Sequence, residues 1–208
     1  MSFQRIFWLL AAISLAFPAF AADCPAPDRR LKTGIVKIVG KGAVGSGVVI
    51  APGMVLTAAH VLEGMAEVDV AIGRKRRDAR IVSRNHRIDL ALLAVDTTGT
   101  TPLPLRRSPL DEKAPVWAVG YAFGKRLKTG QGRFRTEANR LLYTSAPVDF
   151  GQSGGGLLSC ENGRLVLTGI IRAFGAEKRG GKLVRRNDIS VATRTSDTRS
   201  FVNAHQTY

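Results

Sequence analysis

A chain of 208 residues has room for one large domain or two small ones, and its 31 lysines and arginines against 16 acidic residues give a formal net charge of +15. That charge comes with no RNA- or DNA-binding motif, so acidic protein substrates and anionic cell-surface polymers are the expected partners, and nucleic acid is not. Two cysteines and three scattered histidines do not compose a metal site, and no cofactor is expected.

The first residues read as a leader. Arg5 precedes an apolar run from Ile6 to Phe17, and Pro18 is followed by Ala19-Phe20-Ala21, an A-x-A cleavage site. The pattern is that of a secretory signal peptide over residues 1–21. The run is short for a bilayer-spanning helix of about 20 residues, and no later stretch is apolar enough, so the mature chain is expected to be secreted or periplasmic and free of the membrane. Cys24 and Cys160 are the only cysteines. An oxidising compartment allows them to pair, which would staple the start of the mature chain to its second half; two free thiols are the alternative.

From Thr33 to Val95, within an N-terminal barrel expected over residues 22–96, the pattern is all strand. Ile35–Val39, Val48–Ile50 and Met54–Thr57 are short and β-branched, separated by glycines or by Pro52-Gly53. Glu67–Ile72 alternates polar with apolar, and Asp78–Ser83 and Leu90–Val95 bring the count to about six. Arg74-Lys75-Arg76-Arg77 reads as a solvated hairpin tip, with an anchor for an anionic partner as the alternative. Residues 97–115 hold Pro102, Pro104, Pro109 and Pro115 and are expected to be a linker. In residues 116–208 about six further strands follow: Val116–Val119, Gly132–Thr136, Leu141–Thr144, Leu157–Ser159, Leu165–Ala173 and Ile189–Ala192. Ser196 to Val202 reads as a capped closing helix. The expected fold is all-β: two six-stranded antiparallel barrels, which leave few sheet edges exposed, and a short C-terminal helix.

The chemistry concentrates in Asp149-Phe150-Gly151-Gln152-Ser153-Gly154-Gly155-Gly156. A loop of this kind points the N–H groups of Gly151 and Ser153 into one small space, which suits the oxyanion of acyl transfer. A serine hydroxyl needs a base, and the base needs an orienting group. His60 ends the small apolar run Met54-Val55-Leu56-Thr57-Ala58-Ala59, and Asp89 opens Asp89-Leu90-Ala91-Leu92-Leu93. His86, flanked by Arg84 and Arg87, is the rival base, and His205 lies in a polar tail.

T-A-A-H, D-L-A-L-L and G-Q-S-G-G in that order resemble the signature segments of the trypsin-like serine proteases. The likeness is nearest to the HtrA-type protease domain, where a G-S-G segment precedes the histidine strand, as Gly45-Ser46-Gly47-Val48-Val49-Ile50 does here. It runs from about Gly34 to Phe174. The resemblance implies catalytic roles for His60, Asp89 and Ser153, and an oxyanion hole from the backbone of Gly151 and Ser153, in a cleft between the barrels. Gln152 stands where the digestive enzymes carry an aspartate that pairs with a newly cut N-terminus, so activation by that ion pair is not expected. The chain ends soon after the second barrel, so no PDZ domain, and with it no cage assembly, is expected, and a monomer is.

By the same resemblance Pro147, Val148, Arg172, Ala173 and Phe174 line the substrate pocket. Pro147 occupies the position of the acidic residue in trypsin, so a Lys/Arg preference is not expected. Small, aliphatic or acidic side chains stay open. The implied function is a serine endopeptidase acting on proteins or peptides; the alternative is a catalytically silent member of the fold that binds peptides or anionic polymers.

Overall fold

A computed structural model describes residues 24–205 except 41 and 66, so the expected leader lies outside the described residues. After a short helix α1 (Arg29–Lys32) come six strands, β1 (Ile35–Gly40), β2 (Ala43–Ala51), β3 (Met54–Thr57), β4 (Val68–Ile72), β5 (Lys75–Asn85) and β6 (Leu90–Ala94). They close into a barrel in the order β1-β2-β3-β6-β5-β4. A second barrel follows, made of β7 (Pro115–Ala122), β8 (Arg126–Ala138), β9 (Leu141–Thr144), β10 (Gly156–Glu161), β11 (Arg164–Arg179) and β12 (Lys182–Thr193), closed in the order β10-β11-β12-β9-β8-β7. Helix α2 (Thr195–Asn203) ends the described chain. Among the described residues no helix is long and apolar enough to cross a membrane.

Apolar residues of β1 to β6 fill the first barrel with Ile35, Ile38, Leu56, Leu90 and Leu92, joined by Leu62 from the turn after β3, and that core runs on through Trp117, Leu158 and Leu167 of the second barrel to Phe201 and Val202 of α2. One apolar layer therefore joins the barrels. Val116, Phe134, Leu142, Val148, Leu157 and Ile171 form a separate core inside the second barrel. The linker is anchored through Arg106, which is nearly fully buried. It donates to Ser159 Oγ at 2.9 Å and to the carbonyls of Cys160, Ser108 and Pro109. Cys24 and Cys160 are joined by a disulfide that spans 136 positions of sequence.

Four local expectations are corrected. Only the start of the basic run is a hairpin tip: Gly73 and Arg74 make the turn, while Lys75, Arg76 and Arg77 lie within β5, where Arg77 donates to the carbonyls of Asp96 and Thr98. Strand β8 starts at Arg126 rather than Gly132, because its polar first half pairs with β7 as far as Ala122. Strands β11 and β12 run well past Ala173 and before Ile189, forming a charged two-stranded ribbon turned by Gly180-Gly181. Helix α2 has no side-chain cap at its start. Arg194 occupies that position, and the first turn is held by Asp197, paired with Arg194 and Arg140, and by Thr195 Oγ donating to Thr168 O at 2.6 Å.

Candidate active site

Three loops meet where the barrels face each other. Strand β3 runs into a 3-10 turn over Ala59–Leu62 that carries His60. The small residues Ala58 and Ala59 are fully buried and let this turn pack closely against the barrel. Strand β6 lies beside β3, with Ala91 opposite Thr57, so the residue just before β6 comes next to the turn. That residue is Asp89, in the left-handed region at φ 56°, a conformation that aspartate tolerates better than most side chains. Its carboxylate accepts the backbone N–H of His60 at 2.9 Å through Oδ1 and faces His60 Nδ1 at 2.9 Å through Oδ2.

Asp89 is also bound from the second barrel. Arg172 Nε donates to Asp89 Oδ2 at 2.9 Å. Burial alone would push the Asp89 carboxyl up, but the imidazole and backbone N–H of His60, with the charge of Arg172, outweigh it and hold the group below its ordinary 3.8. An ionised carboxylate places the imidazole proton on Nδ1, leaving the Nε2 lone pair free to accept one.

Ser153 sits in the loop between β9 and β10. Gly151 is at φ 83°, and a Cβ there would come within 2.6 Å of Tyr121 O. Gly154 is also at φ 83°, and a Cβ would come within 2.1 Å of Ser46 O. Both positions demand glycine. The N–H groups of Gln152, Gly154 and Gly155 donate to Asp149 O, Ile171 O and Gln152 O. Among the described residues the N–H groups of Gly151 and Ser153 have no acceptor. Two neighbouring free donors of this kind can receive an oxyanion. Ser153 Oγ donates to the carbonyl of Arg172 at 3.0 Å rather than to His60.

Residues 45–166 match the family described as a trypsin-like peptidase domain. The chain belongs to the trypsin-like peptidase family. It is 35% identical over 148 residues to the serine proteases MT3772 and Rv3671c of two Mycobacterium tuberculosis strains, covering 64% of this chain and 36% of each of theirs. The chain thus spans about a third of the length of these curated relatives. The crystal structure of the Rv3671c protease in its active form has a TM-score of 0.72 at 20% identity, over 99% of this chain and 95% of that one. The HtrA-type protease AlgW with a tripeptide also reaches 0.72, at 22% identity, over 84% of this chain and 60% of that one. At these identities the structures establish the shared fold.

Within that peptidase fold, the residues assigned to the pocket divide. Val148 is buried, Pro147 and Phe174 half-buried, and Ala173 exposed. Phe174 packs edge-on against Phe150 with ring centres 4.9 Å apart. Arg172 is different: its guanidinium is turned to Asp89. A second cation, Arg185 of β12, lies against two of these residues, 5.0 Å from the centre of the Phe174 ring and bonded to the Val148 carbonyl. Arg185 and Lys128 share Asp149, at 2.7 and 2.6 Å. The Lys128 contact, foremost, and then Arg185 hold that carboxyl below its ordinary value against a smaller opposing effect of burial. His86 lies 3.9 Å from Glu63 in an exposed pair.

Sequence reasoning also passed over the working part of Ser46. This fully buried residue of β2 reaches across to the serine loop. Its N–H donates to Ser153 O and its Oγ donates to Gly151 O, both at 2.8 Å, while Tyr121 N–H donates back to Oγ at 2.8 Å. The G-S-G spacing was the available signal. Among the described residues no three His, Cys, Asp or Glu side chains gather to hold a metal ion.

Proposed function

We propose that the chain is a secreted or periplasmic serine endopeptidase that hydrolyses protein or peptide substrates through a Ser153-His60-Asp89 triad and an acyl-enzyme. The observation that carries this reading is the His60–Asp89 contact beside a serine loop whose Gly151 and Ser153 N–H groups have no acceptor among the described residues. Substrate binding turns the Ser153 hydroxyl from Arg172 O toward His60. Nε2 takes the proton as Oγ attacks the scissile carbonyl, and the oxyanion is received by the two N–H groups. His60 then gives the proton to the leaving amine, and water repeats the sequence on the ester. Asp89 keeps the imidazole oriented and stabilises its protonated form. The charge of +15 favours acidic substrates or anionic surface polymers as additional partners.

A fluorophosphonate probe followed by peptide mapping tests the reading. Labelling is expected at Ser153 and is expected to vanish in Ser153→Ala, with hydrolysis falling on the order of 10⁶-fold. A folded chain that never labels would favour a silent binding protein of the same fold.

A further inference from the structure

Strand β11 has an irregularity between Ile171 and Ala173: Ile171 pairs with Ala192 and Ala173 with Val191, leaving Arg172 as the extra residue. A bulge of this kind re-aims a side chain. Here it lets one residue meet both Ser153 and Asp89, its carbonyl on Ser153 Oγ at 3.0 Å and its Nε on Asp89 Oδ2 at 2.9 Å. The Asp89 oxygen it binds is the one closest to His60 Nδ1, also 2.9 Å away.

Building on the triad assigned above, we propose that Arg172 is a positioning residue acting through Asp89: it clamps the carboxylate in the orientation that serves His60, and its fixed charge sets how far into acid the site keeps working. Asp89 holds a left-handed backbone angle and a side chain that is 7% exposed, so it depends on its contacts to stay in place. The titratable and charged groups bearing on it are His60, from the turn after β3, and Arg172, from β11. Farther along that turn, Arg84 of β5 binds Leu62 O, and Glu63 faces His86.

The charge argument is one of sign. Arg172 neutralises Asp89 before the imidazole takes up a proton, so a proton on His60 adds a charge that the carboxylate has already partly spent. Without Arg172 the carboxylate attracts that proton with its full charge, and the neutral base is lost at higher pH. Removing that charge should therefore move the acid limb of kcat/KM to higher pH.

The test compares pH profiles of Arg172→Met and Arg172→Lys with the unaltered chain. In Arg172→Met the acid limb should move up and kcat should fall more than KM changes; Arg172→Lys, keeping the charge, should hold the limb near its original place. A limb that stays put in Arg172→Met, with KM changing across substrates that differ in the side chain before the cut, would instead make Arg172 a pocket residue and overturn the proposal. Turnover is not essential to the test. In the Ser153→Ala background, the low-field proton NMR signal of the His60 Nδ1–H···Asp89 bond should change its pH range when Arg172→Met is added. An unchanged signal in a folded protein would refute the role whether or not the chain hydrolyses peptides.

Discussion

Replacing Ser46 by alanine tests whether the first barrel holds the serine loop in shape. The change removes one hydroxyl that serves two backbone groups, the carbonyl of Gly151 and the N–H of Tyr121, both at 2.8 Å. Ser46 is fully buried, so water does not readily replace it. A buried backbone group left unpaired costs about 1–3 kcal/mol; these two are only part-buried, so together they should lower stability by about 2–4 kcal/mol. The catalytic effect is separate. Gly151 is fixed on one side by Phe123 N–H, which donates to Phe150 O at 2.6 Å, and on the other by Ser46 Oγ. With one hold gone its N–H loses alignment, and since removing one oxyanion donor outright costs about 10²–10³-fold, a misaligned one should cost about tenfold in kcat. Urea denaturation and steady-state kinetics read the two effects. A Ser46→Ala chain with unchanged midpoint and unchanged kcat would show that the loop keeps its geometry without the Ser46 hydroxyl.

Further outcomes follow from the same contacts. Asp89→Asn should preserve the fold but favour the wrong imidazole tautomer, lowering kcat on the order of 10⁴-fold; a loss under tenfold would mean His60 is oriented by something else. Reduction of the Cys24–Cys160 bond releases a loop of 136 positions, worth about 5 kcal/mol in the chain-entropy model, and should lower the urea midpoint while leaving two folded barrels, which circular dichroism can verify. Asp89 and Asp149 both lie below the ordinary 3.8 in the folded chain. The unfolded chain therefore binds their protons more readily. Their contribution to stability is complete above about pH 4 and drains as pH falls through the depressed folded values, so Tm should drop in that window; a flat Tm between pH 5 and 2 would contradict it.

The parts of the molecule legible in sequence are those where local chemistry leaves few choices. Ala58-Ala59-His60 and Gly151–Gly155 are small because backbone passes against backbone there, and the prolines of 97–115 mark the connection between the barrels. Strands whose two faces differ, such as β4, announce themselves by apolar spacing. The ribbon of β11 and β12 does not, because beyond Phe174 it leaves the barrel and both its faces meet water, so its alternation carries no apolar signal. The direction of Arg172 was equally hidden: it depends on one unpaired residue in β11, and a bulge has no composition of its own. Arg185 reaches Val148 across 37 positions of chain, and Ser46 reaches Gly151 across 105. Contacts of that range are made by barrel closure, not by any local pattern.

The disulfide has a consequence for what a proteolytic nick in the linker would do. Cys24 precedes the first barrel and Cys160 lies in the second, so the whole linker sits inside the covalent loop. A nick anywhere between β6 and β7 divides the chain without separating it. The two pieces stay bonded through sulfur, pressed together by the apolar layer that runs from Leu56 to Phe201, and Arg106 keeps the distal stub of the linker seated on the second barrel when the cut falls before it. Such a nicked molecule would migrate as one species until reduced, and its cleft would survive the damage.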